Sequence, residues 1–194
     1  MHHTSGINST WVAYGFKFSY SIFTKNLFRL IILFFILIIP MAINQFPIIF
    51  RDTYHYLDFK SSLHHPIYYG FLVGGLSQVF QSVYVFTIFN SVISSITIYL
   101  FSNYAVKEKS RFSFQILTVT LTLSTLPYLT STIMPDFLFG LSIICSYLLI
   151  FHYSEIIKNK NHLSTILFIF LFSNISHNLN WLVGLISFIF IFPM

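Results

Sequence analysis

The sequence predicts an all-α, polytopic helical membrane protein with about six transmembrane helices and a juxtamembrane helix in the first outer loop. Composition is the first reason, because only 8% of the 194 residues are charged and 56% are hydrophobic, whereas a soluble domain carries about 25% charged residues. The second reason is that the apolar runs are continuous, whereas the strands of an outer-membrane barrel alternate apolar and polar residues over segments of ~10. The 25 Phe and 12 Tyr residues also exclude a disordered chain.

The first predicted span is the uncharged run of 21 residues from Leu30 to Phe50. About 20 apolar residues are needed to cross the hydrocarbon core as a helix. A secretory signal peptide has a shorter apolar core followed by small residues at a cleavage site, and this run ends in large side chains instead. We therefore interpret it as a retained span. Residues 1–26 are predicted to form a cytoplasmic N-terminal lead, and residues 27–194 the transmembrane module.

The next run without Asp, Glu, Lys or Arg, residues 61–106, is too long for a single crossing. Its 46 residues would extend about 69 Å as one helix. Gly70, Gly74 and Gly75, followed by Gln78 and Gln81, mark the weak point of this run. We therefore predict a juxtamembrane helix near Pro66–Phe80 and a second span near Ser82–Tyr104.

Two further pairs of spans are predicted in the second half of the chain. Residues 112–153 hold a single charged side chain, Asp136, directly after a proline, which indicates a tight hairpin between two spans. The run from Asn161 is interrupted by the polar residues 173–180, so one span precedes the interruption and one follows it. Only 14 residues remain from Trp181 to the end, and we expect the transmembrane module to be incomplete at its C-terminus.

The distribution of basic residues predicts the orientation, because short loops rich in Lys and Arg stay in the cytoplasm. Two basic residues, Arg51 and Lys60, fall on one predicted side. The other eight fall on the opposite side: Lys17, Lys25, Arg29, Lys107, Lys109, Arg111, Lys158 and Lys160. The N-terminus is therefore predicted in the cytoplasm of a cell whose inner (plasma) membrane holds the protein. These loops account for the net charge of +5, so no nucleic-acid partner is predicted.

The predicted topology brings polar side chains from distant parts of the chain to the outer face. Asp136 must lie near the hydrocarbon boundary, where an ionised carboxylate is costly unless it is paired. His177, flanked by asparagines, makes a polar pocket at the end of two apolar helices. The alternative is that these are ordinary loop charges and a histidine satisfied by a neighbouring helix. The full set comprises Arg51, Asp52, His55, Asp58, Lys60, His64, His65, Asp136 and His177.

Several common catalytic motifs are absent from the sequence. It contains no glycine-rich phosphate loop, no paired-cysteine zinc spacing, no His-Glu-x-x-His and no Gly-x-Ser-x-Gly. Nucleotide chemistry of the kind found in soluble enzymes is therefore not predicted. The single cysteine, Cys145, cannot form an intramolecular disulfide, and we interpret it as a small packing residue in an apolar helix.

Short motifs in the outer loops carry a family resemblance through their order. Residues 51–57 read RDTYHYL, residues 65–72 read HPIYYGFL, and residues 134–140 read MPDFLFG. With Ser176-His177-Asn178 after the predicted fifth span, this order resembles the start of the GT-C superfamily of membrane glycosyltransferases. Those enzymes carry an aspartate-x-x-x-tyrosine-like segment, a proline-aromatic juxtamembrane helix and a second acidic loop between spans three and four. This chain departs from their pattern at Arg51, where a glycine often stands.

The resemblance implies transfer of a sugar from a polyprenyl-phosphate donor to an acceptor at the outer face. Asp52 and Asp136 are then the catalytic carboxylates, with Asp52 as the base that takes the proton of the acceptor hydroxyl. The family architecture also implies that the first outer loop folds over the hairpin, so that both carboxylates share one cavity. Positive charge or a divalent metal ion held partly by Asp136 would stabilise the departing phosphate. The substrate-binding candidates are His177, Arg51, Lys60 and Asp58.

A different class of function stays open beside the enzyme: a non-catalytic multi-pass membrane protein, such as a transporter or an assembly subunit, or an inactive fragment of the enzyme. Transporters tend to carry ionisable groups near the bilayer midplane, often on broken helices in repeated halves. The predicted spans here have nearly uncharged midplanes and no repeated halves, which favours the enzyme. The predicted partners are membrane lipid and the lipid-linked sugar donor, and the residues point to no particular oligomeric state.

Overall fold

The computed structural model describes residues 9–50, 53–57, 67–106 and 111–176, and positions 182, 184, 186 and 189. Within these ranges every regular element is helical, and extended pairing is limited to one isolated bridge. The prediction of an all-α chain is therefore confirmed for the described residues. The elements are α1 (Ser9–Asn44), α2 (Thr53–Leu57), α3 (Ile67–Tyr69), a π-helical turn (Gly70–Gly74), α4 (Gly75–Val79), α5 (Tyr84–Tyr104), α6 (Arg111–Leu123), α7 (Leu126–Thr130), α8 (Phe137–Phe151), α9 (Tyr153–Ile156) and α10 (Lys160–Ser176).

Helix α1 differs from the first predicted span at both ends. It is 36 residues long, so its backbone runs without a break from the predicted lead into the apolar segment. At the other end it stops at Asn44, six residues before the predicted end at Phe50, because Gln45 adopts a φ of 56°. A positive φ is incompatible with a continuing right-handed helix. Residues 45–50 are uncharged but form a loop, so the absence of charge alone placed the end of this span wrongly.

For the described residues 67–106, the predicted division into two helical segments is confirmed. The described part of the juxtamembrane segment runs through α3, the π-helical turn and α4, and the three glycines lie at that turn and its end. The chain then reverses through residues 80–83, where Gln81 adopts a φ of 50°. Helix α5 follows with 21 residues, close to the predicted span Ser82–Tyr104.

The structure supports fewer membrane spans than the sequence predicted. Among the described residues, two helices are long and apolar enough to cross a membrane, Asn26–Asn44 and Tyr84–Tyr104. Helix α6 has 13 residues and α8 has 15, which corresponds to roughly 20–23 Å of helix against the ~30 Å of a bilayer core. They fall short because residues 124–136 are spent on α7 and irregular backbone. Six full spans are therefore not confirmed.

Helix α5 lies at the centre of the bundle, packed against α1 on one side and α8 on the other, and α8 also packs along α10. At one end, the Tyr84 hydroxyl donates to the Gln45 carbonyl at 2.7 Å, so the start of α5 meets the end of α1. At the opposite end, the Tyr104 hydroxyl lies 2.7 Å from Nδ1 of His162. We call these the loop-rich end and the short-loop end, and they correspond to the predicted outer and inner faces.

The bundle buries many hydroxyl side chains and exposes large apolar ones. Ile43 is 74% exposed, Leu123 82% and Phe151 68%, although isolated water-soluble bundles rarely carry extended apolar surface of this kind. Cys145 is 1% exposed within α8, which confirms its packing role. The fully or almost fully buried polar residues of α5 and α8 are Thr87, Asn90, Ser91, Ser94, Ser95, Thr97, Ser102, Ser142 and Ser146.

Candidate functional site

The sequence-predicted site residues divide between described and undescribed parts of the structure. Of the six, Asp136 lies in the described part, and its placement can be compared with the prediction. The other five, Arg51, Asp52, Asp58, Lys60 and His177, lie outside the described residues. The geometry of the site is therefore built from Asp136 and from the described residues that flank the remaining candidates.

Asp136 is an exposed residue at the loop-rich end, directly before the first turn of α8. Its carbonyl accepts a hydrogen bond from the amide of Phe139 at 3.1 Å, which extends the helical turn around it. The N-terminus of a helix carries a partial positive charge, so a carboxylate at this position is favoured electrostatically. Exposure to solvent and the positive end of α8 together reduce the free-energy cost that was predicted for a charge near the hydrocarbon boundary.

The loop after α1 is bonded to the hairpin that carries Asp136. Ile48 forms a parallel bridge with Thr132: its amide donates to the Ser131 carbonyl at 2.9 Å, and its carbonyl accepts from the Ile133 amide at 3.2 Å. Through these bonds the irregular backbone of each segment satisfies polar groups of the other, as buried backbone requires. The hydrogen bonds fix the loop that leads toward Asp52 against the segment that leads to Asp136.

Thr53, the neighbour of Asp52 in the chain, makes a second connection to the hairpin. Its hydroxyl accepts from the Phe50 amide at 3.0 Å and donates to the Ile133 carbonyl at 3.5 Å, and the residue is 1% exposed. The first outer loop therefore contacts the hairpin at Thr53. The carboxylate of Asp52 lies outside the described residues, so its convergence with Asp136 on one cavity stays a prediction.

The juxtamembrane segment is connected to the hairpin by a buried chain of hydrogen bonds. The Tyr69 hydroxyl donates to Oδ1 of Asn90 at 2.9 Å, and Nδ2 of Asn90 donates to the Thr132 carbonyl at 2.9 Å. Tyr69 and Asn90 are both 0% exposed. Burial raises the pKa of Tyr69 above its ordinary value. The hydrogen bond to Asn90 lowers that pKa, and electrostatic interaction with Tyr56 and Asp136 raises it further. The phenol is therefore a neutral hydrogen-bond donor within electrostatic reach of Asp136.

Helix α2 is held on the juxtamembrane segment by close backbone contact. A Cβ built at Gly70 would lie 3.0 Å from the carbonyl oxygen of Tyr56 and 3.2 Å from its Cα. The Tyr56 ring packs edge to face against the Tyr69 ring, with centroids 5.5 Å apart. The ring centroid of Phe86 in α5 lies 5.7 Å from that of Tyr69. A side chain at Gly70 would therefore press against the backbone of Tyr56, and the glycine allows α2 to pack this closely on the juxtamembrane segment.

Hydroxyl groups of the hairpin also bond to the proline-containing turn of α1. The Thr130 hydroxyl donates to the Leu37 carbonyl at 2.9 Å, and the Ser131 hydroxyl accepts from the Met41 amide at 3.3 Å. Pro40 lies between these two positions and cannot donate to the helix. The hairpin therefore inserts side-chain partners where the backbone of α1 is weakest, which anchors it to the first candidate span.

Sequence reasoning missed Asn90, Tyr69 and Thr53 as parts of this site. The available signal was Asn90, an amide within a predicted span, because such groups seek hydrogen bonds across helices. Its partners are 21 and 42 positions away in the chain, and no local pattern indicates those pairings. The loop-rich cluster is defined here as Ile48, Thr53, Tyr69, Asn90 and Thr132.

The loop-rich cluster supplies hydrogen-bonding groups, and the Asp136 carboxylate belongs to the residue four positions after Thr132. Within the described ranges no three His, Cys, Asp or Glu side chains are grouped to hold a metal ion. An apolar cavity of about 180 Å³ lies between α1 and α7, lined by Ile36, Ile39, Pro40, Ile43, Asn44, Thr122, Pro127 and Tyr128. It contains none of the candidate site residues.

Comparison of the chain with protein-family models, with curated proteins and with solved structures finds no match in any of the three.

Proposed function

We propose that this protein is a multi-pass integral membrane protein of the inner membrane that transfers a sugar from a polyprenyl-phosphate donor to an acceptor at the outer face. The observation that carries the proposal is the convergence of three loop-rich segments. The segment beside Asp52, the juxtamembrane segment and the hairpin ending at Asp136 are bonded to one another through Thr53, Tyr69 and Asn90. This is the arrangement expected if two carboxylates from distant loops act on one substrate.

Membrane insertion is supported by what the bundle buries and what it exposes. Small hydroxyl residues fill contacts of α5, while Ile43, Leu123 and Phe151 face outward. Helices in lipid associate through small and polar residues, because apolar side chains gain nothing by leaving hydrocarbon for one another. Helix α5 carries no Asp, Glu, Lys or Arg, which favours a site at the membrane surface over an ion pathway at the midplane.

The proposed reaction is a single displacement at the anomeric carbon of the donor sugar. Asp52 takes the proton of the acceptor hydroxyl as its oxygen bonds to the anomeric carbon, and the bond to the phosphate oxygen breaks. The polyprenyl phosphate leaves with the electron pair, and Arg51, Lys60 or His177 balances its charge. Asp136, at the start of α8, is the proposed second carboxylate, and Asp58 contributes to substrate binding.

Substitution of the two carboxylates tests this function in the protein expressed from its complete reading frame. A positioned general base contributes about 10²–10⁴-fold in rate, so Asp52→Asn should lower sugar transfer by that order while the protein still enters the membrane. Asp136→Asn should also lower transfer, and His177→Ala should have an intermediate effect. The measurement is transfer of labelled sugar from a polyprenyl-phosphate donor in membrane vesicles.

The matched control is Glu155→Gln, which neutralises an exposed carboxylate near the short-loop end. Its transfer rate should stay close to that of the wild type, because an exposed charge away from the site contributes little. If Asp52→Asn and Glu155→Gln both transfer sugar at the wild-type rate, Asp52 is not the base. Absence of transfer by the wild-type protein would favour the non-catalytic alternative.

A further inference from the structure

The buried chain from Tyr69 through Asn90 to the Thr132 carbonyl connects three elements that are far apart in sequence. One end lies in α3, the middle in α5, and the other end in the hairpin four residues before Asp136. Both hydrogen bonds are 2.9 Å long. Buried polar groups are retained when all their partners are supplied, and here each element supplies one group to its neighbour.

An amide is suited to the central position of this chain. Asn90 accepts from the Tyr69 hydroxyl with its oxygen and donates to the Thr132 carbonyl with its nitrogen. A leucine of similar size can do neither, and an ionised aspartate can accept but not donate. Removing Asn90 would leave a phenol and a backbone carbonyl unpaired in an interior where both are buried, which is costlier than losing an exposed hydrogen bond.

The carbonyl that accepts from Asn90 belongs to Thr132, whose other contacts hold the hairpin in place. Thr132 is the bridge partner of Ile48, and its hydroxyl donates to the Leu129 carbonyl at 2.7 Å. From Thr132 the chain passes through Pro135 to Asp136, a short path with a rigid ring in it. The position of the Thr132 backbone therefore constrains where the carboxylate at the start of α8 can lie.

We propose that Asn90 and Tyr69 are positioning residues, which hold the Thr132–Asp136 segment where Asp136 can act on the substrate. This inference rests on the proposed function, because it assigns a purpose to the geometry around Asp136. It also has a purely geometric part: the segment stays docked against α5 because Asn90 is there. The two parts are tested by different measurements.

Cysteine labelling tests the geometric part. In a Cys145→Ser background, Thr132→Cys places a thiol at a position that is 5% exposed, so a membrane-impermeant maleimide should react slowly. Adding Asn90→Leu should raise the labelling rate by about tenfold, since the unpaired carbonyl favours the undocked segment. Thr97→Val is the matched control: Thr97 is 1% exposed in the same helix, and its hydroxyl bonds within α5 to the Ile93 carbonyl. It should leave the labelling rate unchanged.

Kinetics test the positioning part in the protein with Asp136 intact. Asn90→Leu should lower kcat by on the order of 10²-fold with little change in KM, because misplacement by about 1 Å costs that much. Tyr69→Phe should have a smaller effect of the same kind. Asn90→Asp should give a kcat that rises toward acid pH, because the protonated carboxyl regains the donor that Thr132 requires.

The outcomes separate the inference from the function on which it rests. Unchanged labelling in Asn90→Leu overturns the inference, whatever the activity. Faster labelling with kcat at the wild-type value shows that Asn90 docks the segment without positioning Asp136, and this also overturns it. If the wild-type protein transfers no sugar, the proposed function and the catalytic purpose fail together, and the labelling rates alone decide the geometric part.

Discussion

Helices α1 and α5 are both long and apolar enough to cross a membrane, and they occupy opposite environments in the bundle. The most apolar 18-residue segment of Asn26–Asn44 in α1 has a mean hydropathy of 2.5, and only 17% of that segment is buried. The corresponding segment of α5 has a mean hydropathy of 1.6, and 67% of it is buried. The less apolar helix is therefore the interior one. This inversion is expected where lipid, not water, surrounds the helices.

The two helices also differ in the side chains that make their contacts. Along α1, Phe28 and Phe35 are more than 60% exposed, while Leu33 and Leu37 on another face are fully buried. Along α5 the buried face repeats at helical spacing, with Ser91, Ser94, Ser95 and others three or four positions apart. Small residues let neighbouring backbones approach closely. Helix α1 thus presents apolar side chains to the surroundings, and α5 presents small polar ones to its neighbours.

The largest effect is expected when a charge is placed on the exposed apolar face of α1. Phe35 is 61% exposed, and Phe35→Asp should reduce membrane integration, since an aspartate near the centre of a spanning helix costs about 2.5–3.5 kcal/mol on insertion scales. The measurement is the fraction of protein that resists alkaline extraction from membranes. Phe35→Leu is the matched control and should integrate normally. An extraction-resistant fraction as large for Phe35→Asp as for the wild type would contradict a lipid-facing α1.

A smaller effect, on the stability of the bundle, is expected when a small buried residue of α5 is enlarged. Ser94 is 0% exposed, and its hydroxyl has no hydrogen-bond partner among the described residues. Ser94→Leu should therefore destabilise the bundle by about 1–3 kcal/mol through overpacking. Ser94→Ala should be close to neutral, because it removes a hydroxyl that makes no bond there. Thermal unfolding in detergent measures both.

The control for Ser94 lies on the exposed face of the same helix. Val92 is 41% exposed, so Val92→Leu should leave the unfolding temperature within the scatter of the wild type. If Ser94→Ala destabilises as much as Ser94→Leu, the hydroxyl matters rather than the size of the residue. The small-residue explanation of how α5 packs would then be wrong.

Local signals in the sequence were sufficient for some boundaries. The glycines, together with Gln78 and Gln81, predicted a break between the juxtamembrane segment and α5, and the helices fall within a few residues of the predicted limits. The break itself lies at residues 80–83, where Gln81 has a φ of 50°, whereas the glycines lie within the helical segment before it. The same reasoning placed a hairpin at Asp136, and the structure has non-helical backbone directly before that residue. These features depend on neighbouring residues alone.

Boundaries and sites that depend on tertiary contacts were beyond sequence reasoning. The end of the first span was placed at Phe50 because residues 45–50 carry no charge, but this segment bonds to the hairpin through the bridge of Ile48 with Thr132. The role of Asn90 likewise depends on Tyr69 and on the Thr132 carbonyl. Five of the six candidate site residues lie outside the described structure, so their assignment stays a prediction from the sequence.

The most direct test of the central claim, a membrane-embedded bundle with its loop-rich end outside, is thiol labelling of intact cells. In a Cys145→Ser background, single cysteines replace Gln78 or Asp136 at the loop-rich end, and Ser154 or Lys158 near the short-loop end; all four positions are exposed. We predict that an impermeant thiol reagent labels the cysteines at 78 and 136 in intact cells and those at 154 and 158 only after permeabilisation. Reversed labelling would contradict the orientation, and equal protection of all four positions would contradict an outer-face site.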